Sequence, residues 1–126
     1  MKDILLVGVG GALGALSRYG LGLAILRWLG PGFPWATLFI NVSGCLLIGM
    51  AMGGGAGATA FLPRELKLAA VIGFLGAFTT FSTFGYETIS LLQGGKPALA
   101  VGYVLASVFL GLASVGLGIW VTRGLV

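Results

Sequence analysis

Six consecutive residues, Thr79-Thr80-Phe81-Ser82-Thr83-Phe84, set four hydroxyls and two aromatic rings into an otherwise apolar stretch. Hydroxyls donate and accept hydrogen bonds without carrying charge. They can therefore stand in for part of an ion's water shell. In a membrane, clustered hydroxyls need partners, and they line a polar path or a helix contact.

Other polar residues are few. Asn41 carries an amide that can donate two hydrogen bonds, with Ser43, Gly44 and Cys45 close by. Its alternative use is hydrogen-bonded glue between helices. Glu87 follows Thr83 by one helical turn and is the one carboxylate well inside an apolar segment, which makes it a functional candidate. It could equally form an ion pair with Arg18 in a water-filled vestibule. Arg18 interrupts the first apolar segment. It either faces a cavity, where its charge draws anions inward, or snorkels to the headgroups. Tyr103 and Ser107 are four residues apart and form a short polar stripe, with Ser114 two turns beyond.

Phe74, Phe78 and Phe81 recur at helical spacing, and Phe84 extends the row. Taken alone, the stripe reads as packing. The surrounding hydroxyls compete with the backbone for hydrogen bonds, and Gly76 adds slack, so the spacing predicts a local helix break. A break frees carbonyls that water, protein or an ion must satisfy.

Several chemistries are excluded. The chain has no histidine and one cysteine, Cys45, so zinc, haem and an internal disulfide have no ligands or partners. No Ser-His-Asp, Cys-His or paired-carboxylate set exists, so the chain is not expected to be an enzyme. The run from Gly8 to Gly14 imitates a dinucleotide fingerprint, but Leu13 stands where its third glycine belongs. The net charge of +4 comes from scattered cations rather than a basic patch, so nucleic acid is not an expected partner.

The elements that position these groups follow from composition. The chain is 58% hydrophobic and 8% charged over 126 residues. Soluble domains carry about 25% charged residues, so the solvent for most of this surface is lipid. Four helices are predicted, over about 4–29, 35–52, 63–92 and 97–123, all forming one transmembrane domain. Gly30-Pro31-Gly32-Phe33-Pro34 ends the first, and Gln93-Gly94-Gly95-Lys96 is a tight turn before Pro97. A flexible glycine-rich linker is expected between Gly53 and Pro63. Lys2 and the apolar run after it imitate a signal peptide, but the run is too long for one and is expected to be retained.

Four spans put both termini on one side. Lys2, Arg64, Lys67 and Arg123 fall there, against Arg27 and Lys96, with Arg18 a third candidate. So slender a bias leaves both insertion directions open. Small residues spaced by four, Gly10 and Gly14, Gly49 and Gly53, and Ser114 and Gly118, read as sites of close helix approach. Four helices make a thin bundle, so an oligomer is expected.

Three blocks resemble the Fluc (CrcB-type) fluoride channels: Gly10-Gly11-x-x-Gly14-Ala15-x-x-Arg18-Tyr19, Thr37-x-x-x-Asn41-x-x-Gly44, and Gly73-Phe74-x-Gly76-x-x-Thr79-Thr80-Phe81-Ser82-Thr83-Phe84. The fourth segment matches through Tyr103 and Ser107. The resemblance implies a passive, fluoride-selective channel in the cell's inner (plasma) membrane that relieves cytoplasmic fluoride toxicity. It implies an antiparallel, dual-topology homodimer with two pores. Asn41, Phe81, Ser82, Thr83, Phe84, Tyr103 and Ser107 would line the fluoride path, and Arg18 and Glu87 the vestibules. A central sodium ion would be held by the backbone carbonyls of Gly76 and Thr79 from both subunits. The family's polar track continues one turn past Ser107, where this chain has Gly111. Small multidrug exporters share a four-helix, dual-topology plan. They need a carboxylate inside helix one, and this chain has none after Asp3.

Overall fold

The computed structural model describes residues 1–53 and 63–125. Its described residues form four helical spans long and apolar enough to cross a membrane, and the chain is a multi-pass membrane protein. Helix α1 covers Lys2–Leu29 and α2 covers Trp35–Met52. The third span is composite: α3 (Arg64–Leu66), a π-helical stretch (Lys67–Leu75), α4 (Gly76–Phe78), a break at Thr79 and Thr80, then α5 (Phe81–Gln93). Helix α6 covers Pro97–Leu125. Most of the expected glycine-rich linker lies outside the described residues.

The ends of the helices have local causes. Gly30 stops α1 at φ 75°, ψ 178°, a conformation essentially reserved for glycine. The prolines after it remove the donors a helix would need. Pro63 flanks the third span rather than opening it, and its carbonyl accepts the Lys67 N–H at 3.1 Å. At the end of α5, Gly95 (φ 70°) donates to the Leu92 carbonyl (3.0 Å) and Lys96 to the Leu91 carbonyl (2.9 Å). That paired closure satisfies the last carbonyls, and Pro97 then opens α6.

Glycine lets two pairs of elements touch backbone to backbone. A side chain at Gly10 or Gly14 would collide with the carbonyl of Ala69 or Phe74, and one at Gly49 with the carbonyl of Val115. Helix α1 therefore seats on the π-helical stretch, and α2 on α6. The glycines Gly10 and Gly14 are four apart, while Ala69 and Phe74 are five apart. That offset suits an α-helical ring closed at i+4 facing a π-helical ring closed at i+5. Propensity rules give no signal for a π-helix nine residues long, so the sequence reading treats this stretch as ordinary helix.

The apolar core is small, comprising Leu38, Ile40, Phe78, Ala100 and Tyr103. Large apolar side chains on the outer faces, such as Leu112 and Trp120, meet lipid or another chain rather than water. At one end, Lys2 pairs with Glu65 (3.2 Å) and Arg64 with Asp3, tying the start of α1 to the start of the third span.

Candidate functional site

The break in the third span is the organising feature. Thr79 (φ −84°, ψ 160°) and Thr80 (φ −152°, ψ 118°) are both extended. In an unbroken helix the Thr80 N–H would bond the Gly76 carbonyl. Here it donates to Asn41 Oδ1 (2.8 Å), while Asn41 Nδ2 donates back to the Thr80 carbonyl (2.9 Å). One amide on α2 thus pairs with both polar groups of Thr80. Arg18 on α1 donates through Nη1 to the Thr79 carbonyl at 3.3 Å.

The hydroxyls then start α5. Thr80 Oγ1 accepts the Thr83 N–H (3.2 Å) and so caps the helix. It also donates to Thr83 Oγ1 (3.0 Å) and lies 3.3 Å from Ser82 Oγ. Thr79 Oγ1 bonds back to the Leu75 carbonyl (3.2 Å). A helix N-terminus carries partial positive charge and N–H groups without helical partners. Here that terminus is ringed by the hydroxyls of Thr80, Ser82 and Thr83, an arrangement suited to a small anion.

The break also divides the phenylalanine row. Phe74 and Phe78 stack at 5.6 Å, with Phe78 buried and Phe74 half-buried. Phe81 and Phe84 form a second pair at 5.5 Å, with Phe81 83% exposed. The row expected from helical spacing is two pairs because Thr79 and Thr80 take the chain out of helical phase. Phe84 leans on Tyr103 (5.2 Å), which meets Phe33 edge-on (5.4 Å).

Glu87 has other partners than the one weighed from sequence. Its Oε1 accepts from Thr37 Oγ1 (2.9 Å) and its Oε2 from the Tyr103 hydroxyl (2.7 Å). No Arg18–Glu87 ion pair forms among the described residues. Both side chains nevertheless line one cavity of about 630 Å³. It runs between the loop after α1, the turn before α6 and the residues Thr80 and Thr83. Ser107 lies one turn beyond Tyr103, and its buried hydroxyl has no hydrogen-bond partner among the described residues.

The structure therefore brings Arg18, Asn41, Thr79 and Thr80 together, and joins Glu87 to Tyr103. Ser82 and Phe81 remain on the open side of α5. Thr37 is a functional residue that the sequence reading leaves without a role. Its spacing of four from Asn41, which puts both on one face of α2, was the available signal.

A family model described as CrcB-like protein, Camphor Resistance (CrcB), matches residues 5–119. The chain belongs to this family. Among its CrcB relatives, the protein named Fluoride-specific ion channel FluC from Thermus thermophilus is 48% identical over 118 residues, covering 94% of this chain and 93% of the relative. The protein of that name from Beijerinckia indica is 47% identical over 127 residues, 99% of each chain. A third, from Nitrobacter winogradskyi, is 45% identical over 120 residues, covering 95% of this chain and 94% of the relative.

The carbonyls of Gly76 and Thr79 were the expected sodium ligands. Their donor type fits, since a hard cation takes oxygen ligands, with the Thr79 carbonyl shared with the Arg18 guanidinium at 3.3 Å. The Gly76 carbonyl has lost its helical donor to Asn41, and none of the described residues would crowd a side chain there. Two carbonyls are too few for a closed coordination shell, so a second chain would have to complete it.

Proposed function

We propose that this CrcB-family protein is a passive, fluoride-selective channel that lets cytoplasmic fluoride leave the cell. The observation that carries the reading is the hydroxyl-ringed N-terminus of α5, fixed at the break by Asn41 and flanked by Phe81 and Phe84. The names of relatives that match nearly the whole chain support the same ion.

Fluoride is small and strongly hydrated, so a path must replace its water with good donors. Ser82, Thr83 and the helix terminus offer hydroxyl and N–H donors, and Asn41 retains one amide hydrogen. The Phe81 and Phe84 ring edges would accompany the ion without holding it. Arg18 raises local anion concentration on the way in. Tyr103 and Ser107 would extend the polar track along α6.

We further propose that two chains pack antiparallel and enclose two paths. The exposure of Phe81, the apolar outer faces and the weak charge bias support this arrangement. Sodium held between the Gly76 and Thr79 carbonyls of both chains would supply fixed positive charge and tie the subunits together.

The test is fluoride efflux from liposomes holding the purified protein, read with a fluoride electrode beside a chloride control. Rapid fluoride loss with negligible chloride loss is the expected outcome. Equal loss of both ions, or of neither, overturns the reading.

A further inference from the structure

The cavity beside the break is far larger than a monatomic anion needs. At about 630 Å³ it lies in the range of sites that hold small organic molecules. Its wall is amphipathic. Tyr19, Trp35 and Tyr86 give it aromatic faces, while Arg18 and Lys96 bring two cations.

The charges are not balanced inside it. Glu87 is the one carboxylate in the lining, and both of its oxygens are taken by Thr37 and Tyr103. Arg18 spends one N–H on the Thr79 carbonyl, in a long 3.3 Å bond, and has no carboxylate partner among the described residues. A guanidinium offers five donors in a planar fork that matches a carboxylate. An unneutralised fork beside aromatic walls selects a ligand with an anionic head and an apolar body.

We propose that this cavity is a binding site for an amphipathic organic monoanion, a hydrophobic carboxylate whose head meets Arg18 and whose body lies against Tyr19, Trp35 and Tyr86. Thr80 and Thr83 form part of the same wall, so an occupied cavity blocks the polar residues at the break. The blocking clause rests on the channel reading; the binding clause does not.

The experiment uses the full chain in nanodiscs, with 2-naphthoate and its neutral analogue 2-naphthamide as probes and empty nanodiscs as the blank. Binding is read by calorimetry, and fluoride efflux is measured separately in liposomes. Saturable binding of the acid is expected, with the amide about ten-fold weaker. Arg18→Gln is expected to weaken the acid by a similar factor and leave the amide unchanged. Lys96→Gln, in an exposed turn, is expected to weaken the acid two- to three-fold, about the effect of a rim charge, and replaces Arg18→Gln if that variant does not assemble. Equal binding of acid and amide, or indifference to both substitutions, overturns the site. Binding without slowing of efflux overturns the block. A protein that binds the acid through Arg18 but passes no fluoride keeps the site and refutes the channel.

Discussion

Asn41 and Thr80 form a closed pair: the side-chain amide of one meets both the N–H and the carbonyl of the other. The break thereby costs no unsatisfied polar group at Thr80, which is what membrane depth demands. Replacing Asn41 by Ala leaves both groups unpaired, at roughly 1–3 kcal/mol each. The expected result is a lower unfolding midpoint in detergent together with loss of fluoride flux. Wild-type stability in Asn41→Ala would mean that something else satisfies Thr80.

Glu87 couples α5 to α2 and α6 through two donated hydrogen bonds. Tyr103→Phe removes one donor and is expected to cost about 1 kcal/mol. Glu87→Gln turns one acceptor into a donor facing a hydroxyl. Because both changes touch the same contact, their effects should be non-additive, with a coupling on the order of 1 kcal/mol in a double-mutant cycle. Strict additivity would place the two residues apart.

Gly14 has no room for a side chain beside the Phe74 carbonyl, whereas a methyl group at Gly8 would meet none of the described residues. Gly14→Leu is expected to lose at least about 1–3 kcal/mol, seen as aggregation on size exclusion. Gly8→Ala should be neutral or slightly stabilising, since alanine is the better helix former.

Phe81 is 83% exposed, so its ring adds little to the fold of a single chain. Phe81→Ala should leave helicity unchanged and slow fluoride efflux by about ten-fold or more, equivalent to ~1.4 kcal/mol on the barrier. Unchanged efflux would remove Phe81 from the path.

Exchange of sodium for N-methylglucamine throughout purification and reconstitution should reduce fluoride flux if the Gly76 and Thr79 carbonyls share a cation. Gly76 carries no side chain to report on this, so the flux itself is the readout. Identical flux in both buffers would dissociate those carbonyls from any ion.

Much of the architecture was legible in residue types. Four long apolar segments with proline and glycine between them announce four spans, and hydroxyls crowded after Gly76 announce the break. The close-approach role read for Gly10, Gly14 and Gly49 rests on spacing alone and agrees with their backbone contacts. What spacing could not show was partner choice. Glu87 could have met Arg18, and only the three-dimensional placement of Thr37 and Tyr103 decides otherwise. The π-helical stretch was invisible because propensity rules carry no signal for one, although its own Gly73 meets the α1 backbone as closely as the facing glycines do. The phenylalanine row misled in its continuity, since helical phase does not survive Thr79 and Thr80.

The two glycine-lined contacts, α1 on the π-helical stretch and α2 on α6, divide the molecule mechanically. Each pair is a stiff plate, because backbones that touch leave little room to slide. The Asn41–Thr80 pair joins the second plate to the break that ends the first, and Glu87 on α5, beyond the break, bonds to Thr37 and Tyr103 of the second plate. The seam is stitched rather than welded. Separating the two plates would therefore break the Asn41–Thr80 pair before it loosened either glycine-lined contact.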